Sequence, residues 1–325
     1  MKHTPRHATH PIGHPPRRPA GGAALLVAMV LLTLVATMAS AMVWQQWKGV
    51  QVESSERARV QTGWILQGAQ DWARLILRED ARSGRATALT EPWATPLAEA
   101  RLSTFLAADR NTTADDGPEA FLSGAISDAQ ARYNLRNLVD NGKLLPAQVT
   151  MLQRLCASIG LGADVATLLA NGMLAASVGT DAVAPLAPQQ LADLVWLGLD
   201  ADTVDRLAAV AVLLPVRTAV NLNTAPREVL AAVITGIDLG GADRLLQARQ
   251  RQPFRSVDEA NTVLGKTITL QPGVVDVKSA FFEVRGRLRL DHRVLNEQTL
   301  VERKPGLEVV SIQRQRQVGL SPAQR

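Results

Sequence analysis

Cysteine and histidine are scarce in this 325-residue chain, and that scarcity excludes more functions than any motif it carries. Cys156 is the single cysteine, so no intrachain disulfide forms and cysteine usage does not report the redox compartment. Inside the apolar pattern MLQRLCASIGL it reads as a core residue and not a nucleophile. His3, His7, His10 and His14 crowd the first 22 residues, leaving His292 alone in the body. A Ser-His-Asp or Cys-His triad, or a histidine-rich metal site, has almost nothing to draw on. No Walker loop, dinucleotide fingerprint, EF-hand loop or paired-cysteine motif occurs in the chain. The expectation is a protein that is not an enzyme; a hydrolase of unrecognised type is the enzymatic alternative.

Charge is equally uneven. The formal net charge is +5, but Lys2, Arg6, Arg17 and Arg18 all precede residue 23, and without them the body carries only +1. Such a leader acts as a topological signal that stays on the cytoplasmic side, and the body has little field to steer nucleic acid.

What the chain does have begins at residue 23. From 23 to 43 no charge interrupts an apolar run, and a helix of that length reaches roughly 30 Å, the hydrocarbon thickness of a bilayer. Trp44, Trp47 and Lys48 follow, as at a membrane interface. Three readings fit: a plain N-terminal anchor, a secretory signal with Ala39-Ser40-Ala41 as its cleavage site, or a span clipped at Gly22 and retained. Past the run, Ile65, Ala69, Trp72 and Ile76, with Leu66, Ala73 and Leu77 beside them, recur at helical spacing. The helix is expected to continue to about Glu79, weakened at Gly49, Gly63 and Gly68.

The body shows two kinds of pattern. SDAQARYNLRNLV alternates, with Ala129, Ala131, Tyr133 and Leu135 on one face and Asp128, Gln130, Arg132, Asn134 and Arg136 on the other, which predicts a half-buried strand beside FLSGAI. FFEVRGRLRL sets Phe282, Val284, Leu288 and Leu290 against Glu283, Arg285, Arg287 and Arg289, and KPGLEVVSI adds a Pro305-Gly306 turn and another strand. Between them, roughly 142 to 276, the pattern is helical.

Gly22 followed by AALLV, ahead of a long helix, resembles type IV pilin-like proteins, which prepilin peptidase cuts after the glycine. Their fifth mature residue is usually Glu; here it is Val27. That absence, ISDAQARYNL after the helix (with Ala131 where the family usually has Gly), VNLNTAPREVLAAV from Val220 to Val233, and FRSVDEA resemble the type II secretion minor pseudopilin K family (general secretion pathway protein K). The resemblance implies cleavage between Gly22 and Ala23, methylation of the new N-terminus, and a single-pass inner-membrane protein with its N-terminus cytoplasmic and its body periplasmic. It also implies a place at the pseudopilus tip with the other minor pseudopilins (I, J and H) and the major pseudopilin G.

The expected fold class is α+β: a long N-terminal transmembrane and amphipathic helix, then a pilin-like antiparallel sheet interrupted by a large all-helical insert. Its parts are a leader at 1–22, a transmembrane helix at 23–43, the periplasmic part of that helix at 44–80, the first part of the α/β domain at 81–141, the insert at 142–276 and the C-terminal strands at 277–325.

The Val220 stretch also resembles helix-hairpin-helix modules of competence-type DNA receptors, with Thr224 capping, Pro226 in the first turn, Glu228 at the dipole end and GIDLGG linking to a second helix. Asp238 in the linker would repel phosphate, while Arg244, Arg249, Arg251 and Arg255 could bind it. Helix packing is the reading chosen, and no nucleic acid is expected. Some pseudopilin K proteins bind calcium through an Asp-rich part of the insert; here that part holds Asp181 alone. Asp115 and Asp116, with Glu119 close by, and Asp128 remain weak calcium candidates, calcium being the one cofactor considered.

Overall fold

The computed structural model describes residues 21–102, 120–178, 185–265, 268–290 and 293–320. The chain divides after Gly63 into two compact units.

Helix α1 (Gly21–Arg82) is a single element, so Gly49, Gly63 and Gly68 do not interrupt it. Its apolar start has a mean hydropathy of 2.4 over an 18-residue window, none of it buried. Uncharged side chains with no protein to cover them are what a hydrocarbon environment would accommodate.

Within residues 64–325, α1 packs on one face of a five-stranded antiparallel sheet. The strands are β1 (Leu97–Arg101), β2 (Ala120–Asp128), β3 (Phe281–Leu290), β4 (Arg293–Lys304) and β5 (Glu308–Leu320), in that spatial order. Strands β2 and β3 are neighbours in space, yet 152 residues separate Asp128 from Phe281, and among the described residues six α-helices lie in that gap: α2 (Pro146–Ser158), α3 (Ala163–Val178), α4 (Ala201–Ala208), α5 (Arg227–Val233), α6 (Leu239–Arg251) and α7 (Val257–Leu264). The fold is therefore α+β, a sheet interrupted by a helical insert. Pro305 and Gly306 do lie in the β4–β5 turn, where Gly306 takes a φ of +85°, a conformation open to glycine at no steric cost.

The buried stripe of α1 runs through Leu66, Gln70, Ala73 and Leu77. Trp72, expected on that face, is 50% exposed: it lies well over 90° around the helix from Leu66, whereas Gln70 falls on the stripe. Ala73 and Leu77 meet Trp93, Phe282, Val284 and Val301, while Leu66 meets Leu122 and Leu288. Trp93 and Phe282 pack edge to face with centroids 5.3 Å apart. Close approach of α1 needs Gly286, where a Cβ would sit 3.3 Å from Leu66 Cδ2.

SDAQARYNLRNLV is not a single strand. Strand β2 stops at Asp128, whose carboxylate accepts from the Gln130 N–H and turns the chain into a short 3-10 helix at Ala129–Ala131. Six residues on, Asn134 does the same for Arg136. These side-chain bonds give the backbone an alternative to the ladder. In consequence Asp128, Gln130 and Asn134, expected on a solvated face, are buried. Glu283 on β3 is buried too, against Arg132 at 2.5 Å.

Candidate functional site

The sharpest polar constellation in the body lies where the insert leaves and rejoins the sheet. Asp128 ends β2, Asn221 and Thr224 come from the insert, Ser279 precedes β3, and Thr87 follows α1. Asp128 Oδ2 accepts from Thr224 Oγ1 at 2.6 Å, Ser279 Oγ at 2.6 Å and Asn221 Nδ2 at 2.9 Å. Its Oδ1 accepts from the Gln130 N–H at 2.8 Å. Burial pushes the Asp128 carboxyl above its ordinary pKa, and the hydroxyl, amide and backbone donors pull the other way.

A second layer surrounds it. Gln130 Oε1 accepts from the Ala280 N–H at 2.7 Å and its Nε2 donates to Ala219 O at 3.0 Å, so one side chain spans the two chain crossings. Arg303 on β4 donates to Thr87 Oγ1 and Ser279 O, each at 2.8 Å, and pairs with Asp80 of α1 at 2.7 Å. Asn221 Nδ2 also lies 3.1 Å from Thr87 O. Asn223 receives the Phe254 N–H at 2.8 Å and returns a bond to Phe254 O at 2.9 Å, tying the start of the hairpin to its end. The Thr224 and Ser279 hydroxyls that meet the Asp128 carboxylate are buried together with it. The network is a joint that orients the insert on the sheet, and buried, satisfied polar groups suit that task because misalignment would leave them unpaired.

The helix-hairpin segment serves the same joint. Helix α5 is preceded by Pro226 at the cap position; Thr224, expected to cap it, instead gives its hydroxyl to Asp128. Glu228 stands in the first turn as expected. Asp238 caps α6, its carboxylate accepting from the Gly241 N–H at 2.7 Å, so the helix end that a phosphate would use is filled from within. Arg249 turns inward and donates to Leu222 O and Ala225 O, both at 2.7 Å, and burial lowers its pKa to about 10. Arg244, Arg251 and Arg255 do not join it.

The other sequence candidates are dispersed. Gly22, Ala23 and Val27 lie at the start of α1, with Val27 58% exposed. Asp115, Asp116, Glu119, Asp181 and His292 fall outside the described residues. Asp128 is surrounded by donors, and among the described residues no three His, Cys, Asp or Glu side chains gather as a metal would require. Cys156 is buried in the insert core, where burial pushes the thiol up to about 11. Sequence reasoning missed Thr87, Gln130, Asn221, Asn223, Ser279 and Arg303. The one signal was two asparagines and a threonine within VNLNTA, an unusual polar density between apolar residues.

Comparison with known proteins points one way. Residues 220–278, which include Asn221, Asn223 and Thr224, match the family of type II secretion system (T2SS) protein K. The type II secretion system protein K of Pseudomonas aeruginosa is 27% identical over 156 residues, 46% of this chain and 42% of that protein. The match thus spans less than half the length of that relative. A chain in the crystal structure of the GspK-GspI-GspJ complex from the enterotoxigenic Escherichia coli type 2 secretion system shares the fold with a TM-score of 0.60 at 20% identity, covering 81% of this chain and 98% of that one. The family match and the Pseudomonas aeruginosa relative agree on one family, and the structural likeness shows the shared fold.

Proposed function

We propose that this chain, a relative of type II secretion system protein K, is a minor pseudopilin that starts the periplasmic pseudopilus and occupies its tip. Residues 23–43 would anchor it once in the inner membrane, prepilin peptidase would remove residues 1–22, and the body would face the periplasm. Its partners would be the minor pseudopilins I and J, named with a K protein in the structural relative, and by extension H and the major pseudopilin G. The role is assembly and not catalysis.

Val27 is the observation that carries the tip placement. It sits at the fifth position after Gly22, exposed on the uncharged stretch that opens α1. A carboxylate there would neutralise the N-terminal ammonium of a previously assembled neighbour, and an unpaired charge in hydrocarbon costs several kcal/mol. A subunit with Val27 is a poor follower and a suitable first member. The insert adds bulk that an end position tolerates. The nucleic-acid alternative is disfavoured by the filled α6 terminus and the inward Arg249.

Crosslinking from engineered cysteines on the body, in cells making the whole system, tests the placement. Contacts confined to minor pseudopilins are expected. Regular contacts with the major pseudopilin on both sides of the subunit would remove the tip assignment, and N-terminal sequencing that began at Met42 in place of Ala23 would remove the pilin-like processing.

A further inference from the structure

The sheet face turned away from α1 holds two adjoining depressions of about 440 and 330 Å³, which share Arg285, Gln298 and Gln315. Phe282 and Val284 point at α1, so by alternation Arg285 and Arg287 point to this open face. Cross-strand register sets Ser123, Arg287, Asn296 and Gln317 in one row and Ala125, Arg285, Gln298 and Gln315 in the next. At one end the insert forms a wall, where Gln190 Oε1 accepts from Gln313 Nε2 at 2.8 Å and from Gln315.

The chemistry of this floor narrows its occupant. Amides and guanidiniums stand among Leu97, Ala125, Leu191, Val212 and Leu300 on this floor, and an apolar helix laid across it would leave those polar groups unpaired. Phe121, the aromatic ring beside the rows, is covered by Arg289 at 4.0 Å, so no bare ring is offered to a sugar face. Two exposed arginines are too few for the phosphate backbone of a nucleic acid. Arg285 shares its charge with Glu283 at 3.0 Å, whereas Arg287 has no ion-pair partner among the described residues. The second depression sets Arg132 against Asp205 and Glu283, so Arg287 in the first is the uncompensated cation of the floor among the described residues.

We propose that this groove binds an extended acidic peptide segment running along the strands. Side chains on one face of an extended chain repeat about every 6.8 Å, and so do Arg285 and Arg287 along β3. A segment with acidic residues at i and i+2 can therefore place one carboxylate on each guanidinium in bidentate geometry, while Gln298, Gln315 and Gln317 bond its backbone. Given the tip placement, which this inference takes over from the proposed function, such a segment belongs to a protein met at the end of the fibre.

The test uses the full chain in detergent micelles and a fluorescein-labelled nine-residue peptide alternating glutamate and threonine, read by anisotropy at low salt. Binding is expected, weakened about tenfold or more by Arg287→Glu, less by Arg287→Lys, and weaker for a peptide of the same composition with contiguous glutamates. Arg287 is exposed, so neither variant perturbs folding. Absence of binding, equal binding of the contiguous peptide, or an unaffected Arg287→Glu protein overturns the inference. The crosslinking test reads separately: shaft contacts with peptide binding intact would remove the tip placement and leave the groove.

Discussion

Asp128→Ala is the substitution that best probes the joint between sheet and insert. The carboxylate holds the Gln130 N–H, the Thr224 and Ser279 hydroxyls and the Asn221 amide, all buried. Removing it does not orphan all four. Asn221 keeps Thr87 O and Ser279 Oγ within reach, and the Ser279 hydroxyl can rotate. The Gln130 N–H and the Thr224 hydroxyl lose their partners outright, each at about 1–3 kcal/mol. Relief of a buried carboxylate offsets part of this, leaving an expected loss of about 3 kcal/mol, large for one residue. Urea unfolding of the detergent-solubilised chain measures it, and amide hydrogen exchange should quicken first around 219–223 and 277–281, where the two chain crossings meet. Asp128→Asn keeps one acceptor and should cost less. Because burial raises the folded-state pKa of Asp128, its stabilising contribution is complete below its unfolded-state pKa and declines as pH rises through the folded-state value. The advantage of wild type over Asp128→Asn should therefore be greater near pH 4 than near pH 7. A loss under about 0.5 kcal/mol for Asp128→Ala, or an advantage that grows toward pH 7, would refute the account of this joint.

Three further outcomes follow from the same geometry. Cys156, buried with its thiol raised to about 11, should resist maleimide at pH 8 in the native chain and react within minutes in urea; prompt native labelling would show that the insert core opens readily. Arg249→Leu should destabilise by roughly 2 kcal/mol, since it abandons the carbonyls of Leu222 and Ala225, yet leave retention on immobilised DNA no different from wild type; a drop in DNA retention would revive the nucleic-acid reading. Gln70 is 1% exposed on the sheet-facing stripe of α1, and its Oε1 has no hydrogen-bond partner among the described residues, so Gln70→Leu should raise stability by about 1 kcal/mol in urea unfolding, and a loss of that size would mean the amide has a role the geometry does not show.

The sequence by itself determined what depends on local pattern. The uncharged run from 23, the strand over 281–290, the strand begun in KPGLEVVSI and the helical character of 142–276 follow from patterns that each segment carries alone. The scarcity of cysteine and histidine narrowed the chemistry before any coordinates. Tertiary structure decided the rest, because it depended on partners far away in the chain. Asp128 and Glu283 looked solvated by alternation, yet Thr224 and Asn221, more than ninety residues on, and Arg132, 151 residues back, make their burial tolerable. Thr224 looked like a helix cap because its neighbours suit one; the helix starts only at Arg227 with Pro226 at the cap position, and the Thr224 hydroxyl donates to the buried Asp128 carboxylate. The alternation of SDAQARYNLRNLV was real but ambiguous: the Asp and Asn side chains that interrupt the ladder act within two residues, and whether they win depends on the pairing available across the sheet. Alternation reports which side chains are buried only when a ladder holds the backbone extended, and here the ladder ends at Asp128.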